Sequence, residues 1–591
     1  MKTRSILLSF PVAVLVFSSF NAAAAATYRV TADVVTEGDG QSWASPMSIT
    51  NAMAAATTAG DVILCKAGEY IVTANLTIST PITVSGGLAG TDDTTLAADP
   101  VSTFNALDNS AFQSMFVVST ATGADTTNLF ERITFTRGYT RGLYKSGAAN
   151  ISFKDCRFCY NGVRYTVASA YSGAGVYISG TSAVEARFES CLFDGNARTS
   201  YVARTCCIQG GGAYVTGMKR VYFDDCTFLT NCVSFDTSFS ANNQIGQDAG
   251  EGGGAIWAYN QPVTLRNCLI LANRTPGRDY GGSYRGAALR ITGASGGSAI
   301  TNCVFAGNES TYTTTSPMSI GGAIGVWMSD PSYSLDIYGS TIAYNYAYGG
   351  ITAAGVAVYT GTLKVRDSII YGNMVGSTHT SGYGRDVVVY AGGYLDIDYS
   401  LVTAEGMDYL SNYTAGHLAL GDHTVYGDPR FGTNLTQVAA LMTGANGAFK
   451  LAAVPAILAF DLHEGAGSGG YSRAIDTGDP ATAYANEPAP NGSRVNLGVY
   501  GNTSAAATSM LGTPSISNDT INIVFAGDTK PTVSFTLGGS TDYNAQVSIE
   551  VATNDFELGG VNAHESVSLG GRQIGDEITL ACIALYQPGS T

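Results

Sequence analysis

The sequence predicts an all-β chain: a right-handed parallel β-helix, or solenoid, followed by a small C-terminal β-sandwich-like appendage. Three observations predict it. A unit of about 35 residues repeats between Asp155 and Val402, apolar residues alternate with period two around a bend, and a glycine-led strand recurs at one phase of the unit. Helical repeats of similar length need long 3.6-period segments, and the sequence has none.

The bend is the clearest mark of each unit. It reads Asp155-Cys156-Arg157-Phe158, Ser190-Cys191-Leu192-Phe193, Asp225-Cys226-Thr227-Phe228, Asn267-Cys268-Leu269-Ile270 and Asn302-Cys303-Val304-Phe305. Later copies replace the thiol by a hydroxyl: Gly339-Ser340-Thr341-Ile342, Asp367-Ser368-Ile369-Ile370 and Tyr399-Ser400-Leu401-Val402. Successive copies lie 35, 35, 42, 35, 37, 28 and 32 residues apart. Six of the eight bend residues are Asp, Asn or Gly, the types that tolerate a left-handed backbone. Three residues beyond the Phe or Ile stands an Asn in seven copies, from Asn161 to Asn373.

Before each bend, pairs such as Ile151 and Phe153, Val221 and Phe223, or Leu335 and Ile337 alternate as on a half-buried strand. Further upstream, Gly210-Gly211-Gly212-Ala213, Gly252-Gly253-Gly254-Ala255, Gly286-Ala287-Ala288-Leu289 and Gly321-Gly322-Ala323-Ile324 open another strand. Three strands per unit make one β-helix coil. Eight coils at about 4.8 Å each give a rod of about 40 Å. The right-handed sense follows the general rule for parallel crossovers.

The flanks divide the rest of the chain. Residues 1–26 read as a secretion signal: Lys2 and Arg4, the apolar run Ile6 to Phe17, then Ala24-Ala25-Ala26. Residues 27–90 read as an N-terminal cap and first coil, with a short helix from about Ser48 to Ala59; a cap covers an otherwise open edge and core. Coils fill 91–426, a closing cap 427–511, and a β-rich appendage 512–591, where Ile521–Val524, Val533–Thr536, Val547–Val551 and Ile578–Leu585 read as strands. The mature chain, formally −16 with the signal and −18 without it, carries only 13% charged residues. This argues against nucleic acid and anionic membranes as partners.

Eleven cysteines in an exported chain first suggest disulfides. Cys156, Cys191, Cys226, Cys268 and Cys303 instead share one inward slot, where a thiol packs as a small hydrophobe. Cys159, Cys206, Cys207 and Cys232 fall at loops or strand ends and are the better bridge candidates.

Gly211-Gly212-Ala213-Tyr214, Gly253-Gly254-Ala255-Ile256 and Gly321-Gly322-Ala323-Ile324 alternate with Phe158 to Asn161, Phe193 to Asn196, Phe228 to Asn231 and Phe305 to Asn308. This pattern resembles the passenger repeats of chlamydial polymorphic membrane proteins. The resemblance implies a surface-exposed adhesin, although the C-terminal transporter barrel of that family has no counterpart here. A second stretch holds Gly427-Asp428-Pro429-Arg430-Phe431, Arg473-Ala474-Ile475-Asp476-Thr477-Gly478-Asp479-Pro480 and Asn491 to Gly501. It resembles the closing segment of bacterial β-helix proteins called choice-of-anchor Q, which implies a secreted or surface location and no activity. Asp476 and Asp479 are candidate Ca²⁺ ligands, against the plainer reading of turn-forming Asp; no other cofactor is expected.

Two outward surfaces are candidate sites. On the glycine-led strand, parity sends Trp257, Tyr259, Arg290, Trp327 and Tyr359 outward, below insertions rich in Tyr, Ser, Thr and Gly. Such a stripe suits a glycan or a host or surface protein, unless the insertions bury it. On the strand before the bend, Arg187, Glu189, Asp224 and Arg266 resemble the face on which polysaccharide lyases of this fold hold Ca²⁺ and a base; a solvated ladder of mixed charges is the alternative. The sequence thus predicts a secreted or cell-surface recognition protein, with a polysaccharide lyase or glycoside hydrolase of polyuronate type as the competing class.

Overall fold

The structure is a computed structural model. It describes residues 24–508 except 163–171, 200–209, 235–251, 278–287, 313–320, 349–352, 377–384, 405–409, 413–416, 443–453, 466–471 and positions 112, 122, 124, 294, 295 and 391; beyond 508 it describes only the strands. The signal stretch up to residue 23, Cys206, Cys207 and most of the insertions lie outside the described residues.

One coil shows the path of all. Ala213–Thr216 lies in sheet 1 and Arg220–Asp224 in sheet 2. After the corner at Asp225, Thr227–Leu229 lies in sheet 3 and Cys232–Ser234 in sheet 4. The next coil stacks on it in parallel, with Ala213 opposite Ile256, Val221 opposite Val263, Phe228 opposite Ile270 and Cys232 opposite Arg274. Repeated along the chain, this is a parallel β-helix, whose crossovers take the right-handed sense general to parallel connections.

Each central coil therefore has four strands rather than the expected three. Sheet 4 is built from pieces such as Ala197–Thr199 and Glu309–Tyr312, too short and too mixed in polarity to show a period of two.

Sharp corners give the coil its shape. All eight bend residues have a left-handed backbone, from φ +44° at Tyr399 to φ +54° at Asp225. That includes Ser190 and Tyr399, whose types do not favour it. A second left-handed corner falls just before each of the seven asparagines, at Tyr160, Gly195, Thr230, Ala272, Gly307, Tyr344 and Gly372. Bonds between coils hold these corners: Asp155 N donates to Glu189 O at 3.0 Å, and Ser190 N to Asp224 O at 2.9 Å.

The asparagines form a buried ladder. Each Nδ2 donates to the Oδ1 of the next, from Asn161 to Asn196 at 3.0 Å through Asn345 to Asn373 at 2.9 Å. Each also reaches back to a main-chain carbonyl, as Asn231 does to Phe193 O at 2.9 Å. The thiol slot obeys similar logic. Cys226 Sγ donates to Asp224 O at 3.3 Å, and Ser368 Oγ makes the same bond to Arg366 O at 2.7 Å. A thiol and a hydroxyl are interchangeable here because each fills a small space and donates inward to the same carbonyl. Phenylalanines stack between coils, Phe153 on Phe188 at 4.7 Å and Phe193 on Phe228 at 4.4 Å. Cys159, expected as a bridge candidate, is a free thiol that burial pushes up to about 12.

At the N-terminal end, helix Ile49–Ala55 is capped by Ser48 and buries Ile49, Ala52 and Met53 in the core, as a cap requires. The segment after 426 takes a course different from the expected closing cap. The last parallel strand is Val425–Tyr426, and the chain then doubles back along the outer face of sheet 3. There Phe431, Val438, Ile457, Leu462, Ala474 and Leu497 bury Ala306, Ala343, Ile369 and Leu401. Tyr344 Oη donates to Thr433 O at 2.6 Å and Val499 N to Thr341 Oγ1 at 3.1 Å, so this strap is also hydrogen-bonded to the coils. From Val304 to Leu401 sheet 3 carries apolar residues on both faces because both are covered there. Beyond 511, Thr532–Gly538 pairs antiparallel with Asn522–Val524 and Glu577–Ala581, in keeping with the strands read from the sequence. No helix among the described residues is long and apolar enough to cross a membrane.

Candidate functional site

Sheet 1 presents two outward columns. In the first, Tyr144, Tyr177, Tyr214, Trp257 and Arg290 are successive register partners. In the second, Thr216, Tyr259, Thr292 and Trp327 follow one another, and the register then slips at Trp327. The five residues expected as one stripe are thus divided between two columns.

Their exposure divides them again. Trp257 and Arg290 are only 3% and 4% exposed, against the expectation of an open stripe. The Arg290 guanidinium lies 4.1 Å over the Trp257 ring, Arg290 Nε donates to Thr292 Oγ1 at 2.9 Å, and Tyr214 meets Trp257 edge-on at 6.1 Å. Parity sets a direction; whether a side chain meets water depends on what packs beside it. Tyr259 and Trp327 remain open, at 41% and 37%. Tyr359 is half-buried, with its ring 5.8 Å from Trp327 and 5.3 Å from Tyr390. The cavity among Arg290, Trp327, Tyr359 and Tyr390 is only about 10 Å³, so a ligand at Trp327 lies on the surface rather than in a pocket.

Sequence reasoning missed the tyrosines Tyr144, Tyr177 and Tyr214. Matching Gly211-Gly212-Ala213-Tyr214 to Gly253-Gly254-Ala255-Ile256 turns Tyr214 inward. The observed register pairs Ala213 with Ile256 and Tyr214 with Trp257. The usable signal is the leading glycine: Gly210 at φ +64° and Gly253 at φ +66° occupy one position.

On sheet 2, Glu189, Asp224 and Arg266 do share one column on successive coils, beside a second column of Arg187, Tyr222 and Thr264. Arg187 is engaged elsewhere: it pairs with Glu185 at 2.9 Å and lies 4.0 Å over the Tyr222 ring. Glu189 faces Lys154 at 3.6 Å. Burial raises the Asp224 carboxyl above the ordinary range, and the Arg266 charge opposes that. Arg366 and Asp396, farther along, pair at 2.7 Å. This face is a ladder of mixed charges, mostly exposed, with one carboxyl set apart.

No protein-family model and no curated protein matches the chain. Two solved structures are similar to it. Pectate lyase Pel9A shares 16% identity at a TM-score of 0.38, over 81% of this chain and 97% of its own. ORF18 of Geobacillus virus E2 shares 15% identity at a TM-score of 0.30, over 64% of this chain and 62% of its own.

Asp476 and Asp479 serve different partners. Asp476, buried at φ +59°, donates its N–H to Asn496 Oδ1 at 2.8 Å. Asp479 N donates to Asp367 Oδ1 at 2.6 Å, and Asp479 Oδ1 accepts from Ala481 N at 2.8 Å. Both form turns that fix the strap. Among the described residues no three His, Cys, Asp or Glu are grouped to hold a metal ion.

Proposed function

We propose that the protein is a secreted or cell-surface recognition rod that lays an extended neutral glycan along the outer face of sheet 1. The observation that carries this reading is the placement of Tyr259 and Trp327: exposed, in one column, and two coils apart. Two coil rises make about 10 Å, the order of the disaccharide repeat of an extended 1,4-linked polysaccharide. Thr292 stands between them, buried, with its hydroxyl accepting from Arg290 Nε. Aromatic faces and hydroxyls at such intervals suit pyranose rings. The overall acidity, −16, disfavours polyanions over this open surface. The repeats, which resemble those of surface passenger proteins, and the 427–511 stretch, which resembles the choice-of-anchor Q segment, support an extracellular location. Retardation of the protein in gels containing soluble glucan, xylan or mannan, with Trp327→Ala and Tyr259→Ala beside it, tests the reading.

A second reading rests on Asp224. A carboxyl raised by burial, one coil from Arg266 and one from Glu189, is the arrangement an acid–base step on a polyuronate needs. Release of unsaturated uronate product, lost in Arg266→Ala, tests it.

A further inference from the structure

One outward column of sheet 1 alternates between two kinds of side chain. Thr216, Tyr259, Thr292 and Trp327 are successive register partners on four coils. Tyr259 and Trp327 are exposed, Thr292 is buried and Thr216 half-buried, so exposed rings alternate with low threonines. Alternation along each strand puts these side chains on the outer face, and the stacking of coils adds a second period along the rod. With each coil rising about 4.8 Å, the rings recur at about 10 Å. The column ends at Trp327, where the register slips and Trp327 pairs with Thr360. The parallel outward column on the same strands holds Trp257, Arg290 and Gly325. The first two are buried and the third has no side chain, so the exposed rings form a single file.

A file with a period of two coils selects extended sugar chains by their symmetry. In a β-1,4-linked glucan or mannan each ring is turned half a revolution from the one before. Every second ring therefore presents the same face in the same direction. Two aromatic side chains two coils apart meet two such rings at once, and the sugar between them passes over Thr292. A β-1,4-linked xylan takes three rings to a turn. When one of its rings lies flat on Trp327, the ring two places on is rotated away from Tyr259. A 1,3-linked glucan curves out of the file. Each of these loses one aromatic contact, worth about tenfold in affinity.

We infer that the Tyr259–Trp327 file is specific for β-1,4-linked chains of two-fold symmetry, glucan or mannan, over three-fold xylan. The inference rests on the glycan reading proposed above and adds the symmetry of the ligand to it. The test is calorimetric titration of the full chain with cellohexaose, laminarihexaose and xylohexaose. Wild type should bind cellohexaose at least about tenfold more tightly than either of the others. Laminarihexaose is built from the same glucose units as cellohexaose, so that comparison is free of the hydroxymethyl group that xylose lacks. A double variant, Thr216→Tyr with Tyr259→Thr, sets the two rings three coils apart, about 14 Å. It should bind xylohexaose more tightly than cellohexaose. Its melting temperature shows whether it folds, and the wild-type comparisons decide if it does not. Wild type that binds cellohexaose no more tightly than xylohexaose or laminarihexaose overturns the inference and leaves glycan recognition standing. An unchanged order of affinities in the folded double variant does the same. Binding of no hexaose contradicts the recognition reading itself, and the inference with it.

Discussion

Asn373 Nδ2 donates to Asp386 Oδ1 at 2.9 Å, and there the asparagine ladder ends in a carboxylate. The reason lies one step further on, where Thr403 N donates to Asp386 Oδ2 at 3.2 Å. The last rung must accept on both sides. An amide at this position turns an N–H toward another N–H, whereas a carboxylate accepts twice. The cost is burial of a charge, which raises Asp386 to about 6.

Asp386 makes stability depend on pH, and Glu464 acts in the same direction. Burial pushes Glu464 up to about 8, where it accepts from Asn496 Nδ2 at 3.3 Å. Both folded values lie above the ordinary carboxyl range, so the unfolded chain releases these protons first as pH rises. Their contribution is full below about 4 and is lost through about 6 for Asp386 and about 8 for Glu464. Melting curves from pH 4 to 8 should show wild type losing stability relative to a Glu464→Gln variant as pH rises. A constant difference contradicts the assignment.

Interior rungs should be costly to remove. Asn231 Oδ1 accepts from Asn196 N at 3.2 Å and Asn196 Nδ2 at 2.9 Å, while its own Nδ2 has two acceptors. Asn231→Ala strands several buried polar groups at once and should destabilise by about 3 kcal/mol or more. Urea titration against an exposed control such as Thr181→Ala measures it.

The thiol slot predicts the opposite. Cys226→Ser should change stability by no more than about 1 kcal/mol, because Ser340, Ser368 and Ser400 already donate the same bond from that slot. Cys226→Val removes the donor and crowds the corner, and should cost more. Equal effects of the two would show that the hydrogen bond is irrelevant.

On sheet 2, Arg187→Ala should leave any polyuronate cleavage nearly intact, since Arg187 is committed to Glu185 and Tyr222. Arg266→Ala should abolish it if the Asp224 reading holds. Product assays on both variants separate that reading from a solvated charge ladder.

Much of this architecture was legible because its signals are local. Left-handed corners select Asp, Asn and Gly, and buried strands alternate. The Asn beyond each Phe or Ile was visible as a position, but its role needs coils stacked in register, which no single unit shows. Sheet 4 escaped because pieces such as Cys232–Ser234 carry no readable period. Tyr214 was lost to a one-residue shift that exchanges the two faces of a strand. Trp257 was given the right direction and the wrong surroundings, since burial by neighbours is a tertiary fact. The strap's course was illegible for the same reason: its apolar residues announce burial without saying against which face.

The central claim is recognition through exposed aromatics on sheet 1, and affinity electrophoresis in soluble neutral polysaccharides tests it most directly. Wild type should be retarded by at least one extended 1,4-linked polymer, and Trp327→Ala and Tyr259→Ala should each lose most of that retardation while Arg187→Ala keeps it. Free migration of wild type in every polymer, or retardation unchanged in both aromatic variants, would contradict the account.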